Sequence, residues 1–158
     1  MPADPQVKKA QQSLLCRCYL LFPSDVDGFF GPVTRAAVFK YQQDRSIAGS
    51  PMGFNIPLVA DHILGPMTKA RLNPPQIEKG DHGRWVTLCQ EILTFLALTG
   101  PHPTWDPQGI DGDFGPKTDA AVRAFQGDMT EPPTPKGNGK KLVVDGIVGP
   151  ITWCALGS

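Results

Sequence analysis

The groups in this chain that could carry reaction chemistry are three histidines, four cysteines and fifteen carboxylates, and their spacing speaks against an enzyme. A hydrolytic zinc site draws its ligands from close spacings such as His-Glu-x-x-His on one helical face. His62, His82 and His102 instead lie twenty residues apart, in three separate turns or loops. No Gly-x-Ser-x-Gly segment and no Cys–His nucleophile pattern is present. The carboxylates gather in a repeated turn, where capping of backbone N–H groups accounts for them, and small helices offer little wall for the facing carboxylate pair of glycoside hydrolysis. On this reading the chain has no catalytic residue, no metal and no cofactor.

The cysteines leave two readings open. Cys16 and Cys18 are two apart on a predicted helix and point to different faces, so they do not chelate together. Cys18 falls on the apolar face. So does Cys89, which stands where the first half of the chain has Ala10, while Cys154 stands where it has Ala70. Small buried thiols are one reading. A Cys89–Cys154 bridge is the other; it would suit an oxidising compartment, whereas four free thiols suit storage in the cytosol.

The elements that position these groups are set by an eight-residue motif written four times: Asp27-Gly-Phe-Phe-Gly-Pro-Val-Thr34, Asp61-His-Ile-Leu-Gly-Pro-Met-Thr68, Asp111-Gly-Asp-Phe-Gly-Pro-Lys-Thr118 and Asp145-Gly-Ile-Val-Gly-Pro-Ile-Thr152. Copies one and three lie 84 residues apart, as do copies two and four. Such a period is the mark of duplication. At the same offset Ala36, Ala37, Val38, Gln42 and Asp44 match Ala120, Ala121, Val122, Gln126 and Asp128. Upstream the offset is 79, pairing Val7, Gln11 and Leu14 with Val86, Gln90 and Leu93, because the second copy carries an insertion in the Pro-rich stretch 99–109. Within the motif, Asp-Gly makes a tight turn, proline suits the first helical position, the apolar residue before Gly staples the entry, and Thr can bond back to the cap. These residues therefore read as turn, cap and core rather than ligand contacts.

The chain reads as all-α: two tandem compact three-helix modules with long Gly/Pro-rich loops, over residues 1–75 and 76–158, joined near Asn73-Pro74-Pro75. Val7, Ala10, Gln11, Leu14, Cys18 and Leu21 share one face of a first helix. The matching helix spans about Arg84 to Leu98 behind a capping Asp81. Second helices run from Gly31-Pro32 to Asp44 and from Gly115-Pro116 to Gln126, and short third helices follow Gly65-Pro66 and Gly149-Pro150. Charge is balanced overall, with +3 on the first module and −3 on the second, and no basic stripe marks a nucleic-acid partner. Leu14 to Phe22, broken by Arg17, is far short of the roughly 20 apolar residues that cross a membrane. The polar Met1–Ser13 does not form a signal peptide, which leaves export by another route, removal of a leader, or action inside the cell. Gly157-Ser158 reads as an appended pair.

Gly112–Gln126, in the form Gly-x-Phe-Gly-Pro-x-Thr-x-x-Ala-Val-x-x-Phe-Gln, resembles the signature of the peptidoglycan-binding domain family found beside cell-wall hydrolases. Lys79–Gln90 is similar to that family's opening Gly-Asp-x-Gly-x-x-Val-x-x-Leu-Gln, and Val144–Leu156 to its closing segment. The first module departs at Tyr41 for Phe, at His62 for Gly, and in lacking Gly-Asp before Val7. The resemblance implies non-catalytic binding of peptidoglycan, glycan and stem peptide, by a module that targets or anchors a wall-active protein. A phage lysin, a secreted hydrolase and an injected effector are such contexts, with a catalytic wall-hydrolase domain as partner and a site of action in the wall, extracellular or periplasmic. The alternatives are a peptidoglycan hydrolase with an unrecognised site and a protein-interaction scaffold reusing the fold.

Sugar rings stack on aromatic faces and stem-peptide carboxylates attract Lys or Arg. The expected contacts are therefore Phe29 and Asp113 in the variable slot of the motif, Arg35, Lys117 and Asp119 on the exposed side of the second helices, and Trp105 in the inserted loop, where a tryptophan is more often a lid over a helix end than a sugar platform. Two long loops, Ile47–Pro57 and Met129–Lys141, read as solvated excursions; the second is also a candidate basic flap toward acidic wall polymer, and both are candidate protein contacts.

Overall fold

A computed structural model describes residues 2–49, 53–130 and 141–158. Among the described residues six α-helices carry the fold: α1 (Pro5–Cys16), α2 (Pro32–Asp44), α3 (Pro66–Leu72), α4 (Arg84–Thr99), α5 (Pro116–Asp128) and α6 (Pro150–Leu156). Among the described residues there are isolated β-bridges but no strands. The chain is thus all-helical in two three-helix modules. Proline opens α2, α3, α5 and α6 behind an extended glycine, so each of the four motifs starts a helix as its residues dictate.

A buried glutamine holds each motif in shape. Gln11 on α1 donates through Nε2 to Asp27 Oδ1 (2.9 Å), the Phe29 carbonyl (3.1 Å) and Thr34 Oγ1 (2.8 Å), and its Oε1 accepts from Gly28 N–H (2.8 Å). Gln42 on α2 does the same for Asp61, Ile63 and Thr68, Gln90 on α4 for Asp111, Asp113 and Thr118, and Gln126 on α5 for Asp145, Ile147 and Thr152. A primary amide has two donors and one acceptor oxygen, and here all are used in a site sealed from water. Each motif aspartate also accepts the N–H two residues on, closing an Asx turn. The second motif residue takes a left-handed backbone in every copy, at Gly28 (φ 82°), His62 (φ 63°), Gly112 (φ 77°) and Gly146 (φ 74°). Three of the four are glycine because that conformation costs other residues energy.

Each module keeps its own core. Ala10, Leu14, Leu20, Val38, Tyr41, Leu58 and Leu72 form the first. The second is larger: Val86, Leu88, Leu93, Phe114, Val122, Phe125, Val148 and Trp153, joined by Phe54 and Ile56 from the first half of the chain. Arg71, buried on α3, donates to the carbonyls of Gly53 and Ile56 and so braces that crossing segment. Burial lowers its pKa to about 10. The described part of the Ile47–Pro57 loop is therefore an inter-module strap rather than a free excursion. The candidate flap is different: residues 131–140 lie outside the described residues.

Three local expectations are corrected. Helix α1 ends at Cys16 and does not reach Leu21, because Cys18 turns left-handed (φ 64°) while Cys18 N–H bonds to the Leu15 carbonyl and Tyr19 N–H to that of Leu14. This closing pattern of paired bonds terminates a helix and leaves Cys18 exposed. Asp81 does not cap α4; its Oδ2 accepts from Glu78 N–H and closes the turn before it. The disulfide joins Cys16 to Cys154, not Cys89 to Cys154. Cys89 is a buried free thiol whose pKa burial pushes up to about 12.

The bridge fastens α1 to α6, whose end closes in the same way around left-handed Gly157. Arg45 donates to the carbonyls of Gly157 and Ser158 (both 2.8 Å) and lies over the Tyr41 ring, 3.8 Å from its centre. Tyr41 Oη donates to the same Ser158 carbonyl (2.7 Å), and Arg17 reaches Ser158 Oγ (2.7 Å). A cation against a helix C-terminus is favourable, and Gly157-Ser158 is thereby an integral part of the seam. Replacing Gln126 by leucine strands the N–H groups of Asp145 and Gly146. The expected cost is about 2–4 kcal/mol, since each buried polar group left unpaired costs roughly 1–3, read as a lower urea midpoint at unchanged slope. Reduction of a bridge closing 138 residues should lower stability by up to about 5 kcal/mol on a chain-entropy estimate, measured by melting with and without reductant.

Candidate functional site

The clamped turns place the variable motif residues outward. Phe29 (48% exposed) and Asp113 present their side chains to solvent, while Arg35 and Lys117 stand on the exposed sides of α2 and α5. Asp119 is tied to Arg123 one turn on, with Oδ2 3.0 Å from Nε. Trp105 is not a sugar platform. It is 5% exposed, His102 stacks on one face (4.1 Å between ring centres), Phe125 meets it edge-on, and its Nε1–H donates to Asp128 Oδ2 (2.9 Å). The inserted loop folds back because the indole finds both an apolar seat and a hydrogen-bond acceptor at the end of α5.

The expected contacts do not converge on one place. Arg35 lines a groove of about 320 Å³ in the first module, with Val7, Phe30, His62, Ile63, Leu64 and Lys69. Its walls are the first two motifs, and its rim carries two cations, Arg35 and Lys69, that have no acidic partner among the described residues. His62 lies flat on Phe39 (3.8 Å between centres), which fixes one edge of the groove. Sequence reasoning passed over His62, Lys69 and Ile63. The available signal was His62 in place of a glycine that the turn favours, at a left-handed position uncommon for a residue with a side chain.

The carboxylates of the first and third motifs are held in structural roles, whereas burial raises the Glu91 carboxyl. The backbone N–H of Phe29, and then the Gln11 amide, hold the Asp27 carboxyl below its ordinary pKa; Asp113 N–H and Gln90 do the same for Asp111. Both are committed as anionic acceptors within turns. Among the described residues, no three His, Cys, Asp or Glu side chains gather as metal ligands, and no helix is long and apolar enough to cross a membrane.

With this geometry in view, comparison with known families is direct. A family model described as "Putative peptidoglycan binding domain" matches residues 3–48 and 86–134, together more than half of the chain. The chain belongs to the peptidoglycan-binding domain family. It is also 41% identical over 83 residues to an uncharacterized protein in the bpoA1 3' region of Kitasatospora aureofaciens, a match covering 52% of this chain and 55% of that protein. The chain thus spans about half the length of the curated relative it matches. No solved structure matches significantly.

The lowered carboxyls carry a sign. A group with a depressed native pKa contributes stability that is present above its unfolded value, about 3.9 for aspartate, and lost as pH falls through the lower native value. Stability should therefore drop as the solution is acidified below about pH 4. Asparagine at positions 27 and 111 keeps the Asx acceptor but cannot titrate, so the Asp27→Asn, Asp111→Asn variant should show a flatter acid limb in melting temperature against pH.

Proposed function

We propose that this chain is a non-catalytic wall-binding unit, with modules at residues 1–75 and 76–158, that anchors a wall-active protein on peptidoglycan. The observation that carries this reading is family membership over both modules. Two features of the molecule support it. The four motif aspartates are each engaged in an Asx turn and a glutamine clamp, leaving them a structural role. The Cys16–Cys154 bridge suits an oxidising compartment outside the cytoplasm. Phe29, Arg35, Asp113 and Lys117 are the exposed residues we assign to wall contact, with Asp119 acting only through its pair with Arg123. Two modules on one chain raise apparent affinity for a meshwork when both can reach it.

Incubation with purified insoluble sacculi tests this directly. The chain should sediment with the sacculi without releasing soluble muropeptides. Protein left wholly in the supernatant sinks the reading, and released muropeptides would replace it with a hydrolase.

A further inference from the structure

The connections between the first and second helices of the two modules differ in what they bury. In the second module the inserted loop folds back onto α5, where Trp105 meets Phe125 edge-on (4.9 Å between ring centres) and bonds to Asp128. Tyr41 and Asp44 stand at the matching positions of the first module. There the seat is taken by Tyr19, which meets Tyr41 edge-on (5.4 Å) and donates through Oη to Asp44 Oδ2 (2.6 Å). Tyr19 follows closely on the end of α1, so the chain beyond it is not drawn into the seat. No residue of the next turn, Pro23–Asp25, is buried.

This arrangement leaves a second groove, of about 620 Å³, between the connection and α2. Leu20 and Ala37 are its buried floor, and Leu21 (71% exposed), Phe22 (61%) and Val33 (60%) stand around it. Two charged side chains complete the lining. Lys40 is already paired with Asp44 (2.7 Å), so it offers little to a further carboxylate. Asp25 Oδ2 accepts from Phe22 N–H (3.2 Å), while its Oδ1 has no partner among the described residues. A mostly apolar cleft of roughly 300–1,000 Å³ with a few polar groups is the usual form of a small-ligand site. A specific protein interface takes about 20–30 residues a side, and ten line this groove.

The chemistry of the lining selects among wall components. An open carboxylate beside a neutralised lysine repels the acidic groups of a stem peptide and accepts from hydroxyls. An exposed phenyl ring receives the C–H face of a sugar, and small apolar walls receive an acetyl methyl. The structure assigns this groove to the glycan: an N-acetylated sugar ring lies on Phe22, with its acetyl group toward Leu21 and Val33 and a hydroxyl on Asp25 Oδ1. Resting on the wall-binding reading, this names the sugar strand, rather than the stem peptide, as the group bound here.

The chain carries its own reporter. Cys18 lines the groove and is exposed, Cys89 is buried, and the other two cysteines are bridged, so alkylation reads this site in the unmodified protein. A β-1,4-linked oligomer of N-acetylglucosamine should slow alkylation of Cys18 saturably, and a synthetic stem peptide at the same concentration should not. Phe22→Ala should weaken the protection about tenfold, the scale of a lost aromatic stack, and Phe22→Tyr should restore it. Because the ring is largely exposed, both variants should keep the wild-type melting temperature. Protection by the stem peptide instead of the oligomer, or protection undiminished in Phe22→Ala, overturns the inference. Sedimentation with sacculi separates it from the reading on which it rests. Sedimentation without protection by the oligomer overturns the glycan site and leaves wall binding standing, whereas protection without sedimentation supports the site and overturns wall binding.

Discussion

One primary amide per motif determines what the rest of this molecule can do. A tight turn between two short helices exposes several backbone N–H and carbonyl groups at once, and in a small module there is no sheet to take them. Gln11, Gln42, Gln90 and Gln126 each supply both donor and acceptor from the apolar face of a helix, satisfying the turn, the aspartate and the threonine of the next helix together. The geometry forms a chain of dependence. Helix α2 starts at a motif clamped by α1 and carries the glutamine that clamps the following motif, and α5 repeats the arrangement after α4.

This economy explains how duplicate modules could diverge. With the turns held from within, the outer faces of the motifs were free to vary. The second module spends that freedom on an internal seal, with Trp153 and the segment around Ile77 drawn over its motifs. The first module uses its altered positions to meet its neighbour. Tyr41, where the second module has Phe125, adds a hydroxyl that reaches Ser158 across the seam. The modules are joined by buried hydrogen bonds, a crossing aromatic contact between Phe54 and Phe95, and a covalent bridge.

Helix starts were readable from the chain because Gly-Pro is a local signal with a local cause. All four motif-started helices begin at the proline expected of them. The matched glutamines were visible as repeats, but their role was not, since a glutamine on an apolar face is silent about which distant turn it serves. Trp105 read as a lid over a helix end or a sugar platform, and what decides between them, its seat on Phe125 and its acceptor Asp128, is not named by a loop position. The disulfide escaped because pairing depends on how two helices dock, and Cys16 lies off the apolar face by which α1 was read. The groove beside Arg35 was the least accessible of all. It is lined by side chains of α1, α2, α3 and the first two motifs, which come together only in three dimensions.

The Cys16–Cys154 bridge has a mechanical meaning for a protein held on a surface. Tension applied upstream of residue 16 and downstream of residue 154 passes through two sulfur atoms whose Cα carbons are 6.0 Å apart. The residues between the two cysteines bear none of it. Without the bridge, the same pull could draw out a tether of about 450–500 Å at extended-chain length. With it, the chain behaves as a short stiff link between the two bridged positions, and a pull across them is not dissipated by unravelling.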